Sequence, residues 1–220
     1  MRDFLRSLSP STEFSIVVVG AFGLFIFASV LQALMQPRID ASDSGVGWLL
    51  GYELALLALL GAFLHVRGWT PRLLGLDFHA RDWLVGAVLF IAVYIAYAAL
   101  AAIASLIFSL KEPVITGKTS VSLVNILTLS VVNPIFEEVF VCGYVVTALQ
   151  KSRGPWTAIN VSTAIRLSYH LYQGAFGVLG IVPTGLIFAW WFAATGRLWP
   201  PIVAHGLLNL IVLLVGMGSS

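Results

Sequence analysis

Residues 121–149 read VSLVNILTLSVVNPIFEEVFVCGYVVTAL. Two adjacent glutamates, Glu137 and Glu138, are the only charges in this stretch. The hydrocarbon core of a bilayer is about 30 Å thick, and a helix needs about 20 mostly apolar residues to cross it. Length and composition therefore predict a membrane-spanning helix over 121–149. A carboxylate at that depth is costly, and two in succession need strong compensation. The same segment thus fixes the class of fold and marks where chemistry is concentrated.

Working outward, six more stretches are apolar enough to cross or nearly cross: Phe14–Gln36, Gly47–Val66, Trp83–Leu110, Trp156–Leu171, Phe176–Thr195 and Trp199–Val215. The expectation is an all-α fold, a polytopic transmembrane helical bundle of about seven spans, forming a single membrane domain over residues 1–220. Trp83–Leu110 and 121–149 are long and are expected to tilt or project. Trp156–Leu171 is short and is expected to lean on neighbouring helices. Uninterrupted apolar runs of this length exclude a β-barrel, whose strands would alternate apolar and polar residues. Composition agrees: of 220 residues 59% are hydrophobic and 10% charged, against about 25% charged in an ordinary soluble domain. That excludes a soluble enzyme and a disordered chain. A net charge of +2 offers no basic surface for nucleic acid. One cysteine, Cys142, excludes a disulfide framework and a cysteine zinc finger.

Between the spans lie short connectors such as Pro37-Arg38, Gly68-Trp69-Thr70-Pro71 and Ser152-Arg153-Gly154-Pro155. Arg67–Asp82 is long enough for a short interfacial helix. The first span reads as a retained anchor, being too long for a signal-peptide core. No internal repeat is visible, which argues against a transporter built from paired halves. With seven spans, Arg2, Arg6, Arg67, Arg72, Arg81, Lys151, Arg153 and Arg197 fall on one side, and Arg38, Lys111 and Lys118 on the other. The excess of basic residues predicts a cytoplasmic N-terminus, with a bacterial inner membrane as the expected location.

Ionisable residues inside the spans are the functional candidates. Glu137 and Glu138 lie in the fourth span, Arg166 and His170 in the fifth, and His205 and Asn209 in the seventh. Each of the last two pairs is spaced i, i+4 and so shares a helix face. At about 1.5 Å per residue, Glu137 and His170 lie roughly 20 Å from the cytoplasmic side, Asn209 roughly 15 Å and His205 roughly 9 Å. These depths allow Glu137, Glu138, His170, His205 and Asn209 to meet in one chamber. Glu53, His65 and His79 read instead as packing or interface residues. Asn133 and Pro134 read first as a helix kink, and second as cavity lining.

Glutamate and histidine in a protected wet cavity can activate water. The carboxylate takes a proton as general base, and a histidine and an asparagine amide donate to a developing oxyanion. The same groups, Glu137, His170 and His205, are also ligand types for Zn2+ or another divalent metal. A His-Glu-x-x-His zinc helix is absent from the sequence.

The ordered set Glu137-Glu138, Arg166-Leu-Ser-Tyr-His170 and His205-Gly-Leu-Leu-Asn209 resembles the three motifs of the CAAX-protease and bacteriocin-processing family of intramembrane proteases, also called the ABI family. The family pattern is Glu-Glu-x-x-x-Arg, Phe-x-x-x-His and His-x-x-x-Asn or Asp. The motif core covers about residues 119–215. The resemblance implies an intramembrane endopeptidase that hydrolyses a peptide bond of a membrane-associated or lipidated substrate. It implies that Glu137 and His170 activate water, that His205 and Asn209 form the oxyanion site, and that Glu138 has a supporting role. Members are described as metalloproteases, and a metal-free glutamate mechanism is also argued for them. The expectation here is no cofactor.

The sequence departs from the pattern twice. Cys142 stands where the first motif has arginine, and Arg166 where the second has phenylalanine. On antiparallel helices these two positions fall at similar depth. The expectation is that the guanidinium has moved from the fourth helix to the fifth, where Arg166 still pairs with Glu138. Cys142 itself reads as an inert buried thiol. The expected partners are a peptide or membrane-protein substrate and the lipid bilayer, with no nucleic acid and the oligomeric state open. The alternative is a non-catalytic membrane scaffold or bacteriocin-immunity partner with a degraded first motif.

Overall fold

The computed structural model describes residues 2–35, 42–108 and 121–218, and the architecture is helical. Gln36, Pro37, Arg38, Leu110, Lys111 and Lys118, used above for span limits and charge bias, lie outside the described residues. A short α1 (Arg2–Ser7) precedes α2 (Pro10–Met35), α3 (Asp43–Val66) and α4 (Asp82–Phe108). The fourth leg is continuous but composite. It runs through α5 (Leu123–Glu138), a π-helical segment (Val139–Tyr144) and α6 (Val145–Arg153). Then come α7 (Pro155–Ser168), a single 3-10 turn (Leu171–Gln173), α8 (Gly174–Thr195) and α9 (Trp199–Gly218).

Among the described residues six helical stretches are long and apolar enough to cross a membrane. The chain is a multi-pass integral membrane protein. The stretch expected as the fifth span does not qualify, because α7 has only 14 residues. The chain completes that leg through the turn around His170, where the backbone N–H of Tyr172 donates to Ser29 Oγ on α2 at 3.1 Å.

Burial shows which leg is central. In the most apolar 18 residues of each, the leg of α5, the π-helical segment and α6 is 61% buried, against 22% for α2, α3 and α4. The outer helices turn Leu24, Phe27, Val88 and Leu106 outward, a surface suited to lipid. α5 is flanked by α3 and α9, while α4 packs on both α8 and α9.

Arg67–Asp82 forms turns, not the interfacial helix expected from its length. Pro71 and two glycines with positive φ, Gly68 and Gly75, break it. Gly75 is required: its φ is 75°, and a Cβ there would stand 2.5 Å from the carbonyl oxygen of Gly196. The close approach lets the Leu198 N–H donate to Gly75 O at 2.9 Å. The segment is knitted to both neighbours. Arg67 and Trp69 donate to Glu13 on α2, Arg197 pairs with Asp82, and Trp199 Nε1 donates to Leu76 O. At the opposite end, Asp43 accepts from Ser122 N and Asn125 Nδ2, each at 2.7 Å, tying α3 to α5.

Candidate active site

α5 carries the carboxylates. Pro134 lies inside this helix and has no N–H to give the carbonyl of Ser130, one turn earlier. α9 approaches there: a Cβ on Gly206 would stand 2.7 Å from Ser130 O. Proline and glycine together allow α9 to lie close, which brings His205 and Asn209 to the carboxylates. The α-helix continues to Glu138, and the wider π-helical turn follows over Val139–Tyr144. Such single π turns recur at functional sites.

Arg166 lies at the centre, 1% exposed. Its Nη2 donates to Glu138 Oε1 and Oε2 at 2.7 and 2.6 Å, and its Nη1 to Glu137 Oε2 at 3.3 Å. Cys142 Sγ is 3.9 Å from the same Nη2. The thiol is fully buried, at the spot where a longer side chain would otherwise compete with the guanidinium. The Phe188 ring supports the cation from α8, 5.8 Å from its centroid. One guanidinium thus faces two carboxylates, the compensation that two buried acids require.

Glu137 has further partners. The Tyr169 hydroxyl donates to Oε2 at 2.7 Å and the Asn133 amide to Oε1 at 3.1 Å. The Tyr169 ring is held by stacking on Phe22 of α2, with centroids 4.9 Å apart. His205 Nδ1 lies 2.7 Å from Glu138 Oε1. The carboxylate accepts, so Nδ1 carries the proton and Nε2 is the ring atom left for a ligand. His170 Nδ1 lies 2.9 Å from Arg166 O. That carbonyl accepts too, leaving His170 Nε2 as the basic nitrogen. Asn209 Nδ2 donates to Asn133 Oδ1 at 2.9 Å, and its second amide proton remains for another acceptor.

Two spaces meet at Glu137. The larger, about 750 Å³, is bounded by α4, α8 and α9. Asn133, Glu137, Arg166, His170, His205 and Asn209 line its polar wall. The smaller, about 120 Å³, lies toward α2 and α3 and is lined by Glu53, Asn133, Glu137, Tyr169, His170 and Tyr172 among others. Glu138 lies behind Glu137 and lines neither.

The motif residues from three legs therefore converge. Sequence reading missed Tyr169 as a partner of Glu137. It also placed Glu53 among packing residues, whereas the structure puts Glu53 in the smaller chamber, joined to Glu137 through Asn133. The only signal for Glu53 was its cost: an acid in an apolar span with no basic residue near it in sequence. Among the described residues no group of three or more His, Cys, Asp or Glu side chains is placed to hold a metal ion. Glu138 and Glu137 instead engage Arg166, Tyr169 and His205.

No curated protein and no solved structure matches the chain. Residues 119–211, which hold all three motifs, match the family described as type II CAAX prenyl endopeptidase Rce1-like, in agreement with the resemblance that the motifs carry.

Proposed function

We propose that this protein is an intramembrane endopeptidase that hydrolyses a peptide bond of a membrane-associated, prenylated or otherwise lipidated substrate. The observation that supports this most is the meeting of Glu137, His170, His205 and Asn209 on one wall of a cavity of about 750 Å³. The rest of the lining is largely apolar, with Phe90, Val93, Ile181 and Leu208 among others, and suits a lipid-modified peptide.

In this reading the peptide lies in the larger cavity with its scissile carbonyl toward Glu137. Glu137 takes a proton from water while the basic Nε2 of His170 orients that water. The water oxygen bonds to the carbonyl carbon. Negative charge develops on the carbonyl oxygen, where the free amide proton of Asn209 and the Nε2 side of His205 lie ready. The C–N bond then breaks, and the proton held by Glu137 passes to the leaving amine. Arg166 and Tyr169 keep Glu137 in place, and Glu138 fixes both Arg166 and His205. No step is assigned to a metal.

The test uses the purified chain in liposomes with a peptide bearing a prenylated cysteine in a CAAX sequence. The native chain is expected to generate fragments, and Glu137→Gln to generate none while remaining folded. Equal fragment yields from both would overturn the proposal.

A further inference from the structure

Glu53, midway along α3, is 1% exposed. Its Oε1 accepts from Asn133 Nδ2 at 2.7 Å. Its Oε2 is buried and has no hydrogen-bond partner among the described residues. A buried carboxyl oxygen without a hydrogen-bond partner is a liability that an apolar side chain would avoid. It therefore points to something outside the protein. Glu53 faces the smaller chamber, about 120 Å³, together with Glu137 and His170. A water requires roughly 10–15 Å³ of such space and two to four polar partners. The chamber has room for several waters, and Glu53 Oε2, Glu137 and His170 supply the partners. Leu49, Asn133, Glu137, His170 and Tyr172 line both spaces, so they form the partition between them.

Resting on the endopeptidase reading, we propose that the smaller chamber is the water site, and that Glu53 is a further catalytic residue which holds the attacking water. Glu53 is buried with no cation beside it and stays a neutral acid: Oε1 accepts from Asn133, and the Oε2 hydroxyl donates to that water, whose own two O–H groups go to Glu137 and His170 Nε2. These contacts leave one oxygen lone pair facing the carbonyl carbon across the partition. The water oxygen bonds to that carbon, and the proton taken by Glu137 goes to the leaving nitrogen as the C–N bond breaks. The second water proton stays on the new carboxyl group, so Glu53 is unchanged at the end of the cycle. Water and peptide thereby reach Glu137 from opposite sides.

Two measurements test this. In liposomes with the prenylated peptide, Glu53→Gln keeps the size of the side chain, can still accept from Asn133 and presents an amide N–H to the water. Glu53→Leu removes the polar group. Glu53→Leu is expected to lower kcat by about 100-fold, with KM within about 2-fold and melting temperature equal to or above that of the native chain, whereas Glu53→Gln is expected to keep most of the native kcat. Native kcat in folded Glu53→Leu, an equal loss in both variants, or a loss explained by a lowered melting temperature alone, overturns the proposal. The second measurement needs no activity: a high-resolution experimental structure of the native chain. Ordered water on Glu53 Oε2 supports the inference, and a chamber closed by side chains overturns it. A native chain that binds this water yet cleaves no peptide would count against the endopeptidase reading and not against the water site.

Discussion

Arg166 sets the charge balance of the site, and its substitution has the largest expected effect on stability. Arg166→Leu would leave Glu137 and Glu138 buried without a cation, at a cost of about 3–5 kcal/mol. A large fall in the melting temperature in detergent, or loss of folded protein, is expected. The double change Cys142→Arg with Arg166→Phe returns the guanidinium to the helix that carries it in the family pattern. It is expected to regain much of the stability and activity that the single change loses. Full activity of Arg166→Leu would contradict this account. Tyr169→Phe removes one donor to Glu137 and should cost about 1 kcal/mol in stability, with a lowered kcat. Prolonged treatment with a strong metal chelator is expected to leave peptide hydrolysis unchanged, and complete loss restored by zinc would require a metal step. At this scale the motif residues were legible because each ionisable group in an apolar span stands out by its cost. Arg166 could be assigned to Glu138 because it and Cys142 depart from the family pattern at similar depth on antiparallel helices. Tyr169 and Glu53 could not be assigned, because their partners lie on another helix whose path relative to them the sequence does not reveal, and Asn133, one turn before Glu137, gave no sign of its links to Glu53 and Asn209 on other helices.

At the scale of elements, the approach of α9 to α5 decides whether His205 and Asn209 reach the carboxylates. Gly206 and Pro134 form that contact. Gly206→Ala would push a methyl group toward Ser130 O, where a Cβ stands 2.7 Å away. The expected cost is about 1–3 kcal/mol, with a fall in kcat as Asn209 is displaced. Thermal unfolding and single-turnover cleavage measure the two effects separately. The long spans were legible from their uninterrupted apolar composition. The π-helical segment after Glu138 was not, since nothing in Val139–Tyr144 distinguishes a wider turn from an α-helix by hydrophobicity. The length of Arg67–Asp82 suggested a helix, but Pro71 interrupts it and Gly75 makes the close approach to Gly196 and Leu198 between α8 and α9. The shortness of Trp156–Leu171 was legible, and α7 is correspondingly a helix of 14 residues that gives way to the turn around His170.

At the scale of the whole molecule, lipid-facing outer helices surround one largely buried leg. That leg holds both carboxylates, as expected when the costliest groups lie farthest from lipid. The links among Glu13, Arg67, Asp82 and Arg197 all lie at one end of the bundle, near the start of α2 and α4. The basic residues on that side predict that it faces the cytoplasm. Reporter fusions before α1 and after α9 are expected to report opposite sides of the membrane, the first cytoplasmic. Reports from the same side would contradict the path drawn through α7. The central claim is that Glu137 activates water for peptide hydrolysis. Its most direct test compares new peptide termini, by mass spectrometry, in membranes expressing the native chain or Glu137→Gln at matched abundance. The account predicts termini present with the native chain and absent with Glu137→Gln. Identical terminus profiles from two folded proteins would contradict it and favour a non-catalytic membrane partner.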